Sequence, residues 1–351
     1  MSLTILILFI TIILLSLFFD FTNGFHDSSN IVSTIISTRA LSPAKALMLA
    51  AVAEFIGAYF LGTAVAKMIG KGIVSPAAIS EWRSLYVILA TLIGAISWNL
   101  ITWKFGIPSS SSHALIGGLI GSMVIAKGFG IINWKNVVTV FAVLITSPLI
   151  GAVSSALLTK VLAWSFRFAP PQANEFFKKS QIFSSLALAL SHGTNDAQKT
   201  MGIVTLSVLI IGPERFPLWV TDYGRLHAGS GGFIVPNWVI VICSLAIALG
   251  IASGGWTIIK TLGRGIYKIK PMNGFAAQTG SALVIYLSAI SGFPVSTTQI
   301  VTSSIMGSGA AERYKAVRWG IMGNILLTWF ITIPCTAIIS GTVYLIIKIF
   351  I

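Results

Sequence analysis

Ten consecutive residues, Ser191-His192-Gly193-Thr194-Asn195-Asp196-Ala197-Gln198-Lys199-Thr200, interrupt a strongly apolar run, with residues 182–190 on one side and 201–211 on the other. Neither flank reaches the ~20 apolar residues a spanning helix needs. The interruption therefore puts a carboxylate, two amides, hydroxyls and a base at membrane depth. An ionisable side chain there is costly and marks a pathway or a site. A second such cluster, Asn23-Gly24-Phe25-His26-Asp27-Ser28-Ser29-Asn30, follows the apolar residues 3–19. A chain that must shelter Asp27 and Asp196 among helix-length apolar segments has few folds open to it.

The remaining composition narrows the choice. Of 351 residues, 55% are hydrophobic and 9% charged, against about 25% charged in soluble domains. The apolar runs are helix-length and lack the strict alternation of barrel strands, so helices span the membrane here. Residues 1–19 have no basic leader and no small-residue cleavage site, which predicts a retained first helix rather than a signal peptide. The net charge of +14 comes from bases scattered through short loops, the positive-inside pattern, and does not indicate nucleic-acid binding. Cys243 and Cys335 sit inside apolar runs without disulfide or metal spacing and are expected to be small core residues.

Two landmarks recur in the same order. The Asp27 cluster is followed by spans at 44–66, carrying Glu54, and 85–103, then by Phe105-Gly106-Ile107-Pro108-Ser109-Ser110-Ser111-Ser112-His113 and a Gly-rich segment. Residues 166–181, with Pro170-Pro171, Glu175 and Lys178-Lys179, break the pattern. The Asp196 cluster then leads through spans at 238–262 and 273–290 to Ser291-Gly292-Phe293-Pro294-Val295-Ser296-Thr297-Thr298-Gln299. Polar breaks at corresponding places in two halves point to a transporter's central site. The expected architecture is an all-α polytopic membrane protein with about 10–12 transmembrane segments. It has two inverted repeats, 1–165 and 182–351, with discontinuous or re-entrant helices and a cytoplasmic linker at 166–181. Lys260, Arg264, Lys268 and Lys270 crowd one loop without an acid, which places that loop in the cytoplasm and both termini outside. Pro334 leaves the number of final helices open. His227, in a charged loop, is expected at the surface.

The hydroxyl runs suit an oxyanion. Pro108 and Pro294 disfavour helix in the residue before them, so each marks a helix start with hydroxyls at its capping end. Free N–H groups and the positive dipole end make an anion site. Ser109, Ser110, Ser111, Ser112, Ser296, Thr297 and Thr298 add donors without charge, and Gln198 joins this anion-binding set. Carboxylates beside an anion are repulsive unless cations lie between them. Sodium, a hard cation, takes oxygen ligands: Asp27 with Asn30 supplies one set and Asp196 with Asn195 the other, completed by unwound backbone carbonyls. Each ion then lowers the cost of binding the other, as symport requires. A protonated aspartate can replace a bound cation, so proton coupling stays open. Lys199 either meets the anion or neutralises Asp196. Glu54 is a gate or a structural hydrogen-bond donor. His26, His113 and His192 are expected as satisfied polar residues near the site rather than zinc ligands. Gly117, Gly118, Gly121, Gly307 and Gly309 are expected to allow close helix packing.

His192-Gly193-Thr194-Asn195-Asp196-Ala197-Gln198-Lys199 closely resembles the second-half motif of the inorganic phosphate transporter (PiT) family, and Gly24 to Asn30 resembles its first-half motif, with the Asp and the following Asn kept. Pro108 to His113 and Pro294 to Gln299 resemble its two proline–hydroxyl segments, and Glu54 falls where the family has a membrane glutamate. The resemblance implies a phosphate symporter, driven by sodium in many members and by protons in others. It also implies two inverted repeats whose re-entrant hairpins reach a central site. The departures are His26 for a common Asn, Gln299 for a common His, and Gln278 in the place of a second-half glutamate mirroring Glu54. The expected function is sodium-driven phosphate import across the cell (plasma or inner) membrane by a multi-pass protein that is not an enzyme, with a homodimer as the mild expectation for its assembly. The alternatives are a proton-coupled phosphate or sulfate symporter and an anion channel. No Walker-type loop is present for direct ATP drive.

Overall fold

The computed structural model describes residues 2–74, 81–107, 109–221, 233–255, 259 and 267–350. Pro108, His227, Lys260 and Arg264, singled out above, lie outside them. The described residues form an all-helical protein without strands. Ten of their helices have 17 residues or more: α1 (Leu3–Ser37), α2 (Pro43–Phe60), α3 (Leu85–Lys104), α4 (Ser111–Lys127), α5 (Trp134–Ser165), α6 (Ala173–Ile211), α7 (Asn237–Ser253), α8 (Pro271–Ile290), α9 (Thr297–Arg313) and α10 (Trp319–Ile349). Five of the described helices are long and apolar enough to cross a membrane. Large apolar side chains at Val138, Ile145, Leu149, Val153, Leu157 and Val161 stand exposed along α5, a face that only hydrocarbon would cover without cost.

The helix ends follow local chemistry. Ser2, Ser110, Asn133 and Ser296 cap α1, α4, α5 and α9, each accepting a backbone N–H from three residues on. Pro43 and Pro271 occupy first-turn positions in α2 and α8, where no N–H is missed. α3 and α8 end alike. Gly106 (φ 65°) and Gly292 (φ 77°) take the left-handed conformation, with Ile107 N–H donating to Thr102 C=O and Phe293 N–H to Ser288 C=O, both at 3.0 Å. These are Schellman ends, and each turns the chain into the capped start of the next helix. Two helical hairpins result, α3–α4 and α8–α9.

The two sets of five helices correspond in length: 35 and 39 residues, 18 and 17, 20 and 20, 17 and 17, 32 and 31. Their packing corresponds too. α1 lies on α7 as α6 lies on α2, α1 on α3 as α6 on α8, α4 on α10 as α9 on α5, and α3 on α10 as α8 on α5. Pro148 and Pro334 interrupt α5 and α10 at matching places without ending either helix, so the C-terminal segment is one helix. A Cβ at Gly121 would meet Ala337 O of α10 at 2.2 Å, and one at Gly307 would meet Ala152 O of α5 at 2.1 Å. These glycines serve the close packing expected of them.

Two expectations are corrected here. The aspartate clusters are not breaks, because α1 and α6 run through them as continuous helices. A helix satisfies its own backbone whatever its side chains, and the polar side chains of each cluster meet those of the other. Unwound carbonyls at Asp27 and Asp196 are thus absent. The segment 166–181, read as linker, also contributes the first turns of α6 from Ala173.

Candidate functional site

α1 and α6 pack antiparallel in one register. Thr38 Oγ1 lies 2.6 Å from Gln181 Oε1, His192 Nε2 3.6 Å from Asp27 Oδ2, Asn23 Nδ2 3.1 Å from Asp196 Oδ2, and Thr200 Oγ1 2.5 Å from Asp20 Oδ1. Every rung pairs a residue of α1 with a residue of α6 at a falling-against-rising number, so the two aspartates are brought to the same level. Ligand atoms of Asp27, His192 and Asp196 lie within 4.8 Å of one another. Each aspartate is served in the same way. Asn30, three residues after Asp27, donates to its Oδ1 at 2.8 Å, and Lys199, three residues after Asp196, pairs with its Oδ1 at 2.8 Å. The residue four before Asp196 is His192, which reaches Asp27, and the residue four before Asp27 is Asn23, which reaches Asp196. Lys199 thus neutralises Asp196.

The α8–α9 hairpin closes over this pair. Thr298 Oγ1 donates to Asp27 Oδ1 at 2.8 Å, and Thr297 Oγ1 stands 3.5 Å from Asp27 Oδ2 and 3.4 Å from Asp196 Oδ2, between the two carboxylates. Asn30 Nδ2 also donates to Thr298 Oγ1 at 3.0 Å. Asn195 spends its amide on the hairpin backbone, donating to Phe293 C=O at 3.1 Å and accepting from Val295 N–H at 3.3 Å. It positions the hairpin tip; its side-chain oxygen is not turned to a cation. The α3–α4 hairpin meets the second one tip to tip: Ser112 Oγ donates to Val295 C=O at 2.7 Å, and His113 Nδ1 and Gln299 Nε2, at matching places on α4 and α9, are 3.4 Å apart. The two helix N-termini, with their free first-turn N–H groups, therefore meet, and that of α9 lies against the aspartates.

Several predicted residues have other work. Gln198, placed above in the anion set, donates to Gly62 C=O at 2.7 Å and accepts from Val65 and Ala66 N–H at 2.7 and 3.2 Å. Both ends of its amide hold the chain that follows α2. Ser110 and Ser296 are caps, and Ser109 pairs with Thr102 at 2.7 Å. Gln278 does not mirror Glu54 in the packing. A Cβ at Gly193 would meet Glu54 O at 2.3 Å and one at Gly24 would meet Ile247 O at 2.2 Å, so Ile247 holds the matching position. Gln278 instead donates to Thr34 Oγ1 and accepts from Ser184 Oγ, both at 2.7 Å.

His192 is more central than the sequence reading made it. Its Nδ1 is 2.7 Å from Glu54 Oε1, while its Nε2 faces Asp27 and Asp196 at 3.6 and 4.0 Å without a hydrogen bond to either. Asn23 and Asp20 were not assigned roles from sequence. The signal was present for Asp20, an acid within an apolar stretch; for Asn23 it was the offset of 169 residues that carries Asp27 onto Asp196 and Asn23 onto His192.

The chemistry of the donor set fits hard monovalent cations. Asn30 Oδ1 is buried without a hydrogen-bond partner, and oxygens of Asp27 and Asp196 lie within 4.8 Å of each other, so hard oxygen ligands converge there.

Comparison with known proteins gives the family. The phosphate transporter family model matches residues 23–340. The chain is 44% identical over 338 residues, 96% of each chain, to a "probable low-affinity inorganic phosphate transporter" of Rhizobium meliloti, and 42% identical over 344 residues, 98% of each chain, to the protein so described in Bacillus subtilis. A solved structure described as the sodium-dependent phosphate transporter has the same fold, with a TM-score of 0.86 at 23% identity, covering 98% of this chain and 100% of that one. Relatives across nearly the full length are transporters, not enzymes, and the chain is a member of the phosphate transporter family.

Proposed function

We propose that this protein imports inorganic phosphate across the cell membrane by sodium symport. The observation that carries the reading is the twofold-like pair Asp27 and Asp196, bridged by Thr297 at the point where two helix N-termini converge. Sodium ions are held by the two carboxylates and by Asn30 Oδ1, and are transported as co-substrates. Phosphate lies against them on the side of the hairpin tips, taking first-turn N–H groups of both hairpins and the hydroxyl of Ser111, while the hydroxyls of Thr297 and Thr298 stay on the carboxylates. The cations separate like charges, so neither ion is well bound without the other. In this reading residues 1–165 and 182–351 are inverted repeats, supported by the matched packing and by the antiparallel α1–α6 register.

The test is phosphate uptake by purified protein in liposomes with sodium and pH gradients imposed separately. Uptake is expected to follow the sodium gradient and to vanish in Asp27→Asn and in Asp196→Asn. A second reading, proton coupling, is favoured by His192, which is hydrogen-bonded to Glu54 at 2.7 Å and turns its other ring nitrogen toward Asp27 at 3.6 Å. It predicts uptake that follows pH alone and is lost in Glu54→Gln, a substitution that sodium-driven uptake should survive. Uptake of sulfate in place of phosphate, or gradient-independent conductance, would replace the symport reading altogether.

A further inference from the structure

Four carboxylates are buried among the described residues, Asp20, Asp27, Glu54 and Asp196, together with one buried lysine, Lys199. Lys199 is paired with Asp196, and His192 stands between Glu54 and Asp27. Asp20 has neither. It is fully buried at the junction of α1, α6 and α7, where Thr200 donates to its Oδ1 and the thiol of Cys243 lies against it. Its Oδ2 has no hydrogen-bond partner. On the same face of α1, three residues on and four residues back, Asn23 Oδ1 and Ser16 Oγ are likewise buried and unpartnered. Two neutral oxygens and a carboxylate in one column of α1, with the hydroxyl of Thr200 beside them from α6 and no base bonded to them, are an oxygen set in search of a cation.

We propose that Asp20 anchors a further monovalent-cation site, with Thr200 Oγ1, Asn23 Oδ1 and Ser16 Oγ as its neutral ligands. It is distinct from the cations at Asp27 and Asp196, and it rests on the reading of this protein as a sodium symporter. Position gives the site its role. The Asp20–Thr200 rung is the next one along the α1–α6 contact after Asn23–Asp196. Asn23 donates to Asp196 through Nδ2 and offers its Oδ1 to the new site, so an ion at Asp20 orients the amide that holds Asp196. Nothing on α6 or α7 repeats it: the residue that the 169-residue offset pairs with Asp20 is Ala189. The site therefore belongs to one end of the molecule, and serves a cation on its way to or from the central pair.

The test is saturation binding of radiolabelled sodium to purified full-length protein without phosphate, alongside phosphate uptake in liposomes. Asp20→Asn is expected to bind one sodium ion fewer per protein than wild type. Thr200→Val keeps the carboxylate and the volume, and is expected to weaken one class of sodium binding by about tenfold, the loss of one charge-assisted contact. Unchanged number and affinity in both variants overturns the site. Should Asp20→Asn fail to fold, unchanged affinity in Thr200→Val alone overturns it. Sodium-dependent wild-type uptake combined with unchanged binding in the variants rejects only the Asp20 site, whereas wild-type uptake indifferent to sodium rejects the symport reading with it.

Discussion

Thr297 and Thr298 are where residue-level chemistry bears on the proposed ion site. Both are buried, and each offers its one hydroxyl proton to a carboxylate rather than to its own helical turn, although turn-bonding is the ordinary habit of such residues in apolar helices. A hydrogen bond to a charged acceptor is worth roughly 1.5–3 kcal/mol. Thr298→Val, nearly isosteric, is therefore expected to lower phosphate uptake at limiting sodium by about tenfold or more, while Thr298→Ser retains it. Initial uptake rates across a sodium titration check this, and equal rates for the Val variant and wild type would remove Thr298 from the site. Asn195 holds the hairpin backbone at Phe293 and Val295. Asn195→Ala should loosen the hairpin tip, read as faster hydrogen exchange at the amide of Val295.

The hairpins are the elements on which this geometry depends, and their ends carry the strain. Gly106 and Gly292 sit at φ 65° and 77°, where an L side chain costs roughly 1–2 kcal/mol. Gly106→Ala and Gly292→Ala are each expected to lower the melting temperature in detergent. Gly323→Ala, on α10 with open space at the position of a Cβ, should raise it slightly; a scan in which all three behave alike would refute the assignment. These elements were largely legible in the sequence, because Pro294 and the hydroxyls after it are local signals for a capped helix start. The courses of α1 and α6 were not. Low apolarity at Asp27 and Asp196 predicts broken helix, whereas backbone pairing inside a helix is indifferent to side-chain polarity. Long-range partners were also out of reach. Nothing local in the chain says that Gln198 will hold the backbone at Gly62, or that His192 will find Glu54 across 138 residues.

At the scale of the whole molecule, the two sets of five helices match while the two hairpins do different work, and that difference is a prediction. α6 follows α1 at an offset of 169 residues, and α9 follows α4 at 186, as Gly106 and Gly292 or His113 and Gln299 show. Under these offsets the contacts of Thr298 with Asp27 and of Asn195 with the backbone at Phe293 and Val295 become contacts of Ser112 with Asp196 and of His26 with the backbone at Ile107 and Ser109. Neither counterpart is made here. Ser112 donates to Val295 C=O, and His26 Nε2 is buried without a partner. In a transporter of inverted repeats the opposite-facing state is reached by exchanging the conformations of the two halves. The first hairpin is then expected to take over the aspartates as the second releases them. With Cys243 and Cys335 replaced by serine, the pair Asn195→Cys and Val295→Cys should cross-link in the state described here, and His26→Cys with Ser109→Cys in the other. With Ser111→Cys added as a reporter thiol, each disulfide should leave that thiol reachable by a membrane-impermeant thiol reagent from opposite sides of the bilayer. If the second pair never cross-links in membranes, or both locks expose the same side, the two hairpins do not exchange roles, and the matched packing would reflect common ancestry of the two halves without alternation between them.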